Sequence, residues 1–119
     1  MPEVDQAKLE KAHQARIGGD YDTAKPLYDE LLQQDDENPE VWWARGLTIM
    51  NMGEFDDAVD CLRKAVKLEP DNQRYLLDLG KHLAMLGMEE EAIRQFERVV
   101  EIDPSSREGA DATTQLSYY

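Results

Sequence analysis

The sequence predicts an all-α fold of stacked helix pairs, and three observations carry that prediction. First, the stretch 39–72 is followed by 73–106 with the same punctuation thirty-four residues later. Gly46 returns as Gly80, Gly53 as Gly87, Ala58 as Ala92, Leu62 as Phe96, Leu68 as Ile102 and Pro70 as Pro104. Second, apolar residues recur at the helical period. Third, sustained alternation and Asn-Gly hairpin turns, the signals of strands, are absent from the sequence. A recurrence of this length marks repeats, each burying its apolar face against the next.

Taken in order, 5–38 is an earlier and weaker unit. Ala12, Gly19, Ala24 and Tyr28 stand where Gly46, Gly53, Ala58 and Leu62 stand in the second unit. Each first helix is predicted to end at Gly19, Gly53 or Gly87, because glycine adopts the left-handed cap conformation without strain. The second helix restarts at once, with Asp22 or Asp56 as the expected N-cap. Ala24, Ala58 and Ala92, facing Ala12, Gly46 and Gly80, let paired backbones approach. Asn38-Pro39 reads as an N-cap followed by proline at the first helical position. Pro70 and Pro104 stop second helices, and Pro26 should remove at most one hydrogen bond. Trp42 and Ile49, then Leu76, Leu79 and Leu83, are expected to face their own second helices. Val59, Leu62, Val66 and Leu68 answer from one of these, and Ile93, Phe96, Val100 and Ile102 from the next. After Pro104, Ser105-x-x-Glu108 reads as a capping box. Ala112 and Leu116 give a short helix a thin apolar stripe, which Gly109, Thr113 and Thr114 weaken. The expected organisation is a single domain over 1–119: repeat one 5–38, repeat two 39–72, repeat three 73–106, and a capping helix 106–119 that shields the last pair.

Composition narrows the function. A chain of 119 residues suits one domain, and 41% apolar with 33% charged residues is too apolar for disorder. The net charge of −13 disfavours nucleic acid and anionic membranes. It suits a basic partner, halophily or plain solubility alike. One cysteine, Cys61, allows no internal disulfide, and no apolar run approaches the length of a membrane span. A cytoplasmic protein without membrane insertion is expected.

The spacing of these residues resembles the tetratricopeptide repeat (TPR) over 5–106. That family's places read Trp42, Arg45-Gly46, Ile49, Gly53, Phe55, Ala58, Leu62, Ala65 and Pro70 in the second unit. In the third they read Leu76, Leu79-Gly80, Leu83, Gly87, Glu89, Ala92, Phe96, Val99 and Pro104. The first unit departs where Lys8, Lys11 and Asp36 occupy the tryptophan, leucine and proline places, so its first helix is expected to be the least stable or to be covered by something outside this sequence. The resemblance implies a right-handed α–α superhelix, a TPR solenoid of three helix-turn-helix repeats with a short C-terminal cap. It also implies a groove lined by the first helices that binds peptides or helices.

Carried over by place, the first helix lends that groove Gln6, Leu9, His13, Arg16 and Ile17. The second lends Glu40, Trp43, Leu47, Met50 and Asn51, and the third Arg74, Leu77, Lys81, Ala84 and Met85. Trp43, Leu47 and Met50 form their own i, i+4, i+7 stripe, about 100° from the Trp42–Ile49 stripe. Two readings are open for Trp43 and Leu77: groove surface, or packing between neighbouring first helices. Leu47 and Met50 are expected to be exposed, with Met85 as an adaptable contact. The core of the predicted binding site is therefore Leu9, His13, Arg16, Trp43, Leu47, Met50, Arg74, Leu77, Lys81 and Met85. Arg16, Arg74 and Lys81 against Glu40 give these places a formal +2, or +1 with the rim residue Asp78. Acidic side chains such as Asp29, Glu30, Asp56, Asp57, Asp60 and Glu89 to Glu91 fall on second helices and turns. The expected ligand is an apolar peptide or partner segment with an acidic group.

The family's carboxylate clamp is not matched. Its places hold Leu9, His13, Ala44, Arg74 and Asp78, of which only Arg74 conforms. Three-repeat secretion chaperones for translocated substrates are a looser resemblance and supply one alternative function. Weak homo-oligomerisation through apolar end faces is another. Chemistry finds little footing: His13 and His82 lie in different units without a second ligand at metal spacing. Cys61 sits beside Asp60 with no base, and Gly18-Gly19 reads as a helix cap rather than a phosphate loop. The expectation is a protein-binding scaffold that is not an enzyme, with no cofactor and no metal.

Overall fold

The computed structural model describes residues 4–119. Among them lie seven α-helices and no strand: α1 Gln6–Ile17, α2 Tyr21–Gln34, α3 Pro39–Asn51, α4 Phe55–Leu68, α5 Gln73–Met85, α6 Glu89–Ile102 and α7 Arg107–Leu116. They fall into two compact units, one holding α1–α4 and the other α5–α7.

Local chemistry explains the helix boundaries. Gly19, Gly53 and Gly87 take φ of +83°, +84° and +80°, and the chain reverses there into the next helix. The side chains of Asn38 and Asn72 accept from the amides of Val41 and Tyr75, capping α3 and α5. The expected caps of the second helices are corrected. Asp20, not Asp22, caps α2 by accepting from Thr23 N, and Asp56 lies inside the first turn of α4. Several acidic residues crowd each turn, and one residue of phase decides which reaches the free amides. The capping box is corrected likewise: Ser106 Oγ accepts from Gly109 N at 2.9 Å, while Ser105 is tied to Asp103.

In the unit holding α1–α4, α2 packs on α1 and α3, and α3 packs on α4. Leu9, Ala12, Ala24, Tyr28, Leu31, Val41 and Ala44 form one buried cluster. Ile49, Met50, Ala58 and Cys61 form another, against which Trp42 lies. Gly46 permits the close approach of α3 and α4, since a methyl group there would meet Ala58 O and Leu62 Cγ at 3.1 Å. In the unit holding α5–α7, Leu76, Leu79 and Leu83 of α5 meet a sheath from α6 in which Ala92, Phe96 and Val99 are fully buried. Ile93, Val100 and Ile102, expected in the core, are half-buried. Gln73 Nε2 donates to the carbonyls of Val99 and Asp103, so the start of α5 caps the end of α6.

Candidate protein-interaction surfaces

The predicted binding residues divide between the two units. In the unit of α1–α4, α1 contributes His13 and Arg16, α2 contributes Tyr28, and α3 contributes Glu40, Trp43 and Leu47. Arg16 lies over the Trp43 ring, its guanidinium carbon 5.3 Å from the centroid, a cation–π arrangement. Arg16 Nε also donates to Tyr28 Oη at 3.1 Å. His13 links both neighbouring helices: Nδ1 lies 2.6 Å from Tyr28 Oη, and Nε2 2.7 Å from Glu40 Oε2. One proton arrangement satisfies every partner when His13 is neutral. Tyr28 O–H donates to Nδ1, and Nε2–H donates to the carboxylate. Tyr28 itself is fully buried, and burial raises its phenol above the usual range while Arg16 pulls the other way.

Exposure corrects part of the expected surface. Met50 is 8% exposed, inside the α3–α4 cluster rather than on a free face. Leu9 is 5% exposed and Leu77 4%, so both are core residues of their units. Leu47 is half-buried, and Trp43 lies partly buried against the first cluster. A helix flanked on two sides buries more than one stripe, and for Met50 and Leu77 the second stripe is structural as well.

In the unit of α5–α7, a cleft of about 200 Å³ is lined by Arg74, Leu77, Asp78, Lys81, Arg107, Glu108 and Asp111. Arg74 pairs with Asp78 at 3.3 Å, and Lys81 Nζ with Asp111 of α7 at 2.7 Å. The expected positive surplus is therefore corrected. Counting Asp111 beside Asp78 cancels the last positive charge of the predicted set, since α7 brings its own counter-ion. Met85 remains exposed, at 61%. Lys81 also holds the Asp111 carboxyl below its ordinary range. A depressed folded value means the pair stabilises the fold above the unfolded carboxylate range, about pH 4. That stabilisation is lost as pH falls through the lower folded value. Asp111→Asn should therefore flatten the acid limb of the stability–pH curve of this unit, read by urea unfolding between about pH 2 and pH 5. A limb that keeps its wild-type slope would rule the pair out as a contributor.

Away from these surfaces, Arg45 Nε donates to Asp29 at 2.6 Å and its Nη1 to Cys61 Sγ at 3.0 Å. Burial raises the Cys61 thiol above its ordinary range, with Arg45 opposing, and the buried sulfur is packed as an acceptor for Arg45. Among the described residues no cluster of His, Cys, Asp and Glu could hold a metal, and no helix is long and apolar enough to cross a membrane. Tyr28 and Asp111 were not on the predicted surface. Tyr28 stood at a close-packing place filled by Leu62 and Phe96 in the other repeats, and its polar tip was the available signal. Asp111 was hidden in the weakest helix.

Glycine-ended helix pairs with small residues at each crossing define a protein of the TPR class, and related sequences and structures agree. Within that class, residues 9–117 match the family described as the cilia and flagella-associated protein 70 middle TPR-like domain, and the chain belongs to that family. It is 31% identical over 85 residues to the BBSome complex member bbs-4 of Caenorhabditis elegans, covering 71% of this chain and 18% of that protein. Over 106 residues it is 26% identical to the small glutamine-rich tetratricopeptide repeat-containing protein 2 of Mycosarcoma maydis, covering 89% and 30%. The chain thus spans less than a third of these relatives' length. Among solved structures, the first TPR of Spaghetti (RPAP3) bound to the HSP90 peptide SRMEEVD superposes with a TM-score of 0.84. It is 25% identical, with 95% of this chain and 90% of that one covered. The type III secretion translocator chaperone SycD of Yersinia enterocolitica gives 0.85 at 16% identity, covering 96% and 88%, a likeness of fold. The fold class is an all-α TPR solenoid.

Proposed function

We propose that the chain is a non-catalytic, cytoplasmic interaction module in which α1 and α3 receive an apolar segment of a protein partner that carries a carboxylate. The observation behind this is the stack of Arg16 on Trp43, beside the half-buried Leu47. An aromatic face and a guanidinium held together suit an apolar side chain next to an acidic group. Among the described residues Arg16 uses Nε on Tyr28, and the rest of its donor fork is assigned to the ligand in this reading. Binding of the acidic peptide SRMEEVD by the Spaghetti TPR is a precedent at the level of ligand class. The mode differs here, because the clamp places hold the buried Leu9 and Ala44. Arg74, Lys81 and Met85 are proposed as contacts of the other unit, the two cations engaging a partner by exchanging their aspartates.

The secretion-chaperone reading shares the fold and has no residue-level support beyond it. Self-association through the end formed by α7 has mixed support: exposed Ala110, Thr113 and Thr114 are small or polar, while Tyr118 and Tyr119 beyond the helix are exposed aromatics. The test is a fluorescence titration with a library of apolar–acidic peptides, comparing wild type with Trp43→Ala and Trp43→Ala/Leu47→Ala. An aromatic anchor of this kind should contribute about 2 kcal/mol, so the single variant should weaken binding roughly thirtyfold. Undiminished binding by Trp43→Ala at unchanged helicity removes α1–α3 from the site.

A further inference from the structure

We propose that the α1–α3 surface is proton-gated: protonation of His13 loosens Arg16 from Tyr28 and strengthens the surface's grip on a carboxylate. This rests on the binding surface proposed above and adds its regulation. Among the described residues, the charged and titratable groups joined to His13 by this hydrogen-bond chain come from three helices: Arg16 on α1, Tyr28 on α2 and Glu40 on α3. With neutral His13, the hydrogen bonds run in one direction. Arg16 Nε–H donates to Tyr28 Oη, Tyr28 O–H donates to His13 Nδ1, and Nε2–H donates to Glu40.

A proton taken up at Nδ1 reverses the middle link. Both ring nitrogens are then donors, and Nδ1–H and Arg16 Nε–H converge on the single Tyr28 oxygen. The Tyr28 proton loses its acceptor in a fully buried site, and two cations meet at one phenol. Glu40 becomes the ion-pair partner of the protonated ring at Nε2, away from Nδ1 where Tyr28 sits, so it offsets the new charge without replacing the acceptor that the Tyr28 proton loses. Arg16 is the group able to move, since among the described residues it is held by one hydrogen bond and a stacking contact with Trp43. Released from Tyr28 and still stacked on Trp43, it presents its whole fork to a ligand, and the surface gains one positive charge. Histidine changes charge within roughly pH 5 to 8, a range in which peptide carboxylates stay ionised. Acidification therefore strengthens the surface without neutralising its ligand.

Two measurements separate this proposal from the binding reading beneath it. The first needs no ligand: Trp43 emission is followed from about pH 8 to about pH 5.5 in a Trp42→Phe background, since a guanidinium freed from Tyr28 and re-oriented over the indole face alters quenching. A sigmoidal change is expected that is lost in His13→Gln, which keeps an amide able to bridge Tyr28 and Glu40, and also lost in Arg16→Gln. A flat profile, or one that persists in His13→Gln, overturns the gate. If Trp42→Phe is not folded, the NMR shift of the Arg16 Nε–H in wild-type protein is read over the same range. A sigmoidal shift then supports the gate, and a flat one overturns it. The second measurement is the affinity for an apolar peptide ending in Glu-Asp, expected to tighten roughly fivefold over that range in wild type and to be flat in His13→Gln. Binding without pH dependence overturns the gate and leaves the surface standing. An emission change with no binding at any pH overturns the surface as a carboxylate site.

Discussion

Phe96→Ala should lower the unfolding free energy of the α5–α7 unit by about 3–5 kcal/mol, the range for deleting a fully buried aromatic. The ring is completely buried on α6 and lies against Gly80 of α5. A methyl group placed on Gly80 would come within 2.6 Å of Phe96 Cε1. The pair is a knob set into a place without a side chain. Removing the knob leaves a hole that Gly80 has no atoms to fill, so the cavity cost adds to the lost burial. Gly80→Ala should in turn cost about 1–3 kcal/mol by overpacking. Its cost should shrink in a Phe96→Leu background, because the two residues compete for one volume. Urea unfolding followed by helix signal, with a double-mutant cycle, measures both effects. A Phe96→Ala cost under about 1 kcal/mol would mean that the ring is not locked against Gly80.

Gly109→Ala is the sharper case, because secondary-structure propensity and tertiary packing predict opposite signs. In an exposed helix interior, replacing glycine by alanine gains about 1 kcal/mol. Here an added methyl group would lie 2.1 Å from the carbonyl oxygen of Asp103 and 2.9 Å from the backbone of Pro104. Backbone cannot rotate aside as a long side chain can, so α7 must lift away from the 103–106 turn. The shift would also break the Ser106 cap on Gly109 N and stretch the Lys81–Asp111 pair. A loss of roughly 3 kcal/mol, the upper end of overpacking, is expected, with α7 the element that gives way. Hydrogen exchange should show protection falling across 107–116 while α1–α4 keep theirs. A stabilised variant would show that α7 tolerates displacement and that its glycine is incidental.

Much of the architecture was legible because repeated backbone requirements leave repeated residues. Only glycine sits comfortably at the left-handed turns of Gly53 and Gly87, only glycine leaves room for Phe96 at Gly80, and only small residues suit the crossings at Gly46, Ala58 and Ala92. The candidate surface was less legible. Met50 and Leu77 satisfied the spacing of a free stripe yet are buried, because periodicity reports that a face is apolar and not what covers it. The charge count missed Asp111 because an ion pair between residues 81 and 111 leaves no local trace. Asp20 against Asp22, and Ser106 against Ser105, show the same limit at short range, where equivalent residues stand side by side and the phase of the helix chooses.

The sequence by itself determined the helix pairs, their turns and the small residues at each crossing, since these follow from local backbone geometry recurring every thirty-four residues. Only the tertiary structure decided that Gly109 is a packing requirement, that Lys81 is neutralised by α7, and that His13 and Arg16 meet at one buried tyrosine. Each depends on atoms brought together from separate helices, and distances of that kind are set by how helices pack and not by the order of residues along any one of them.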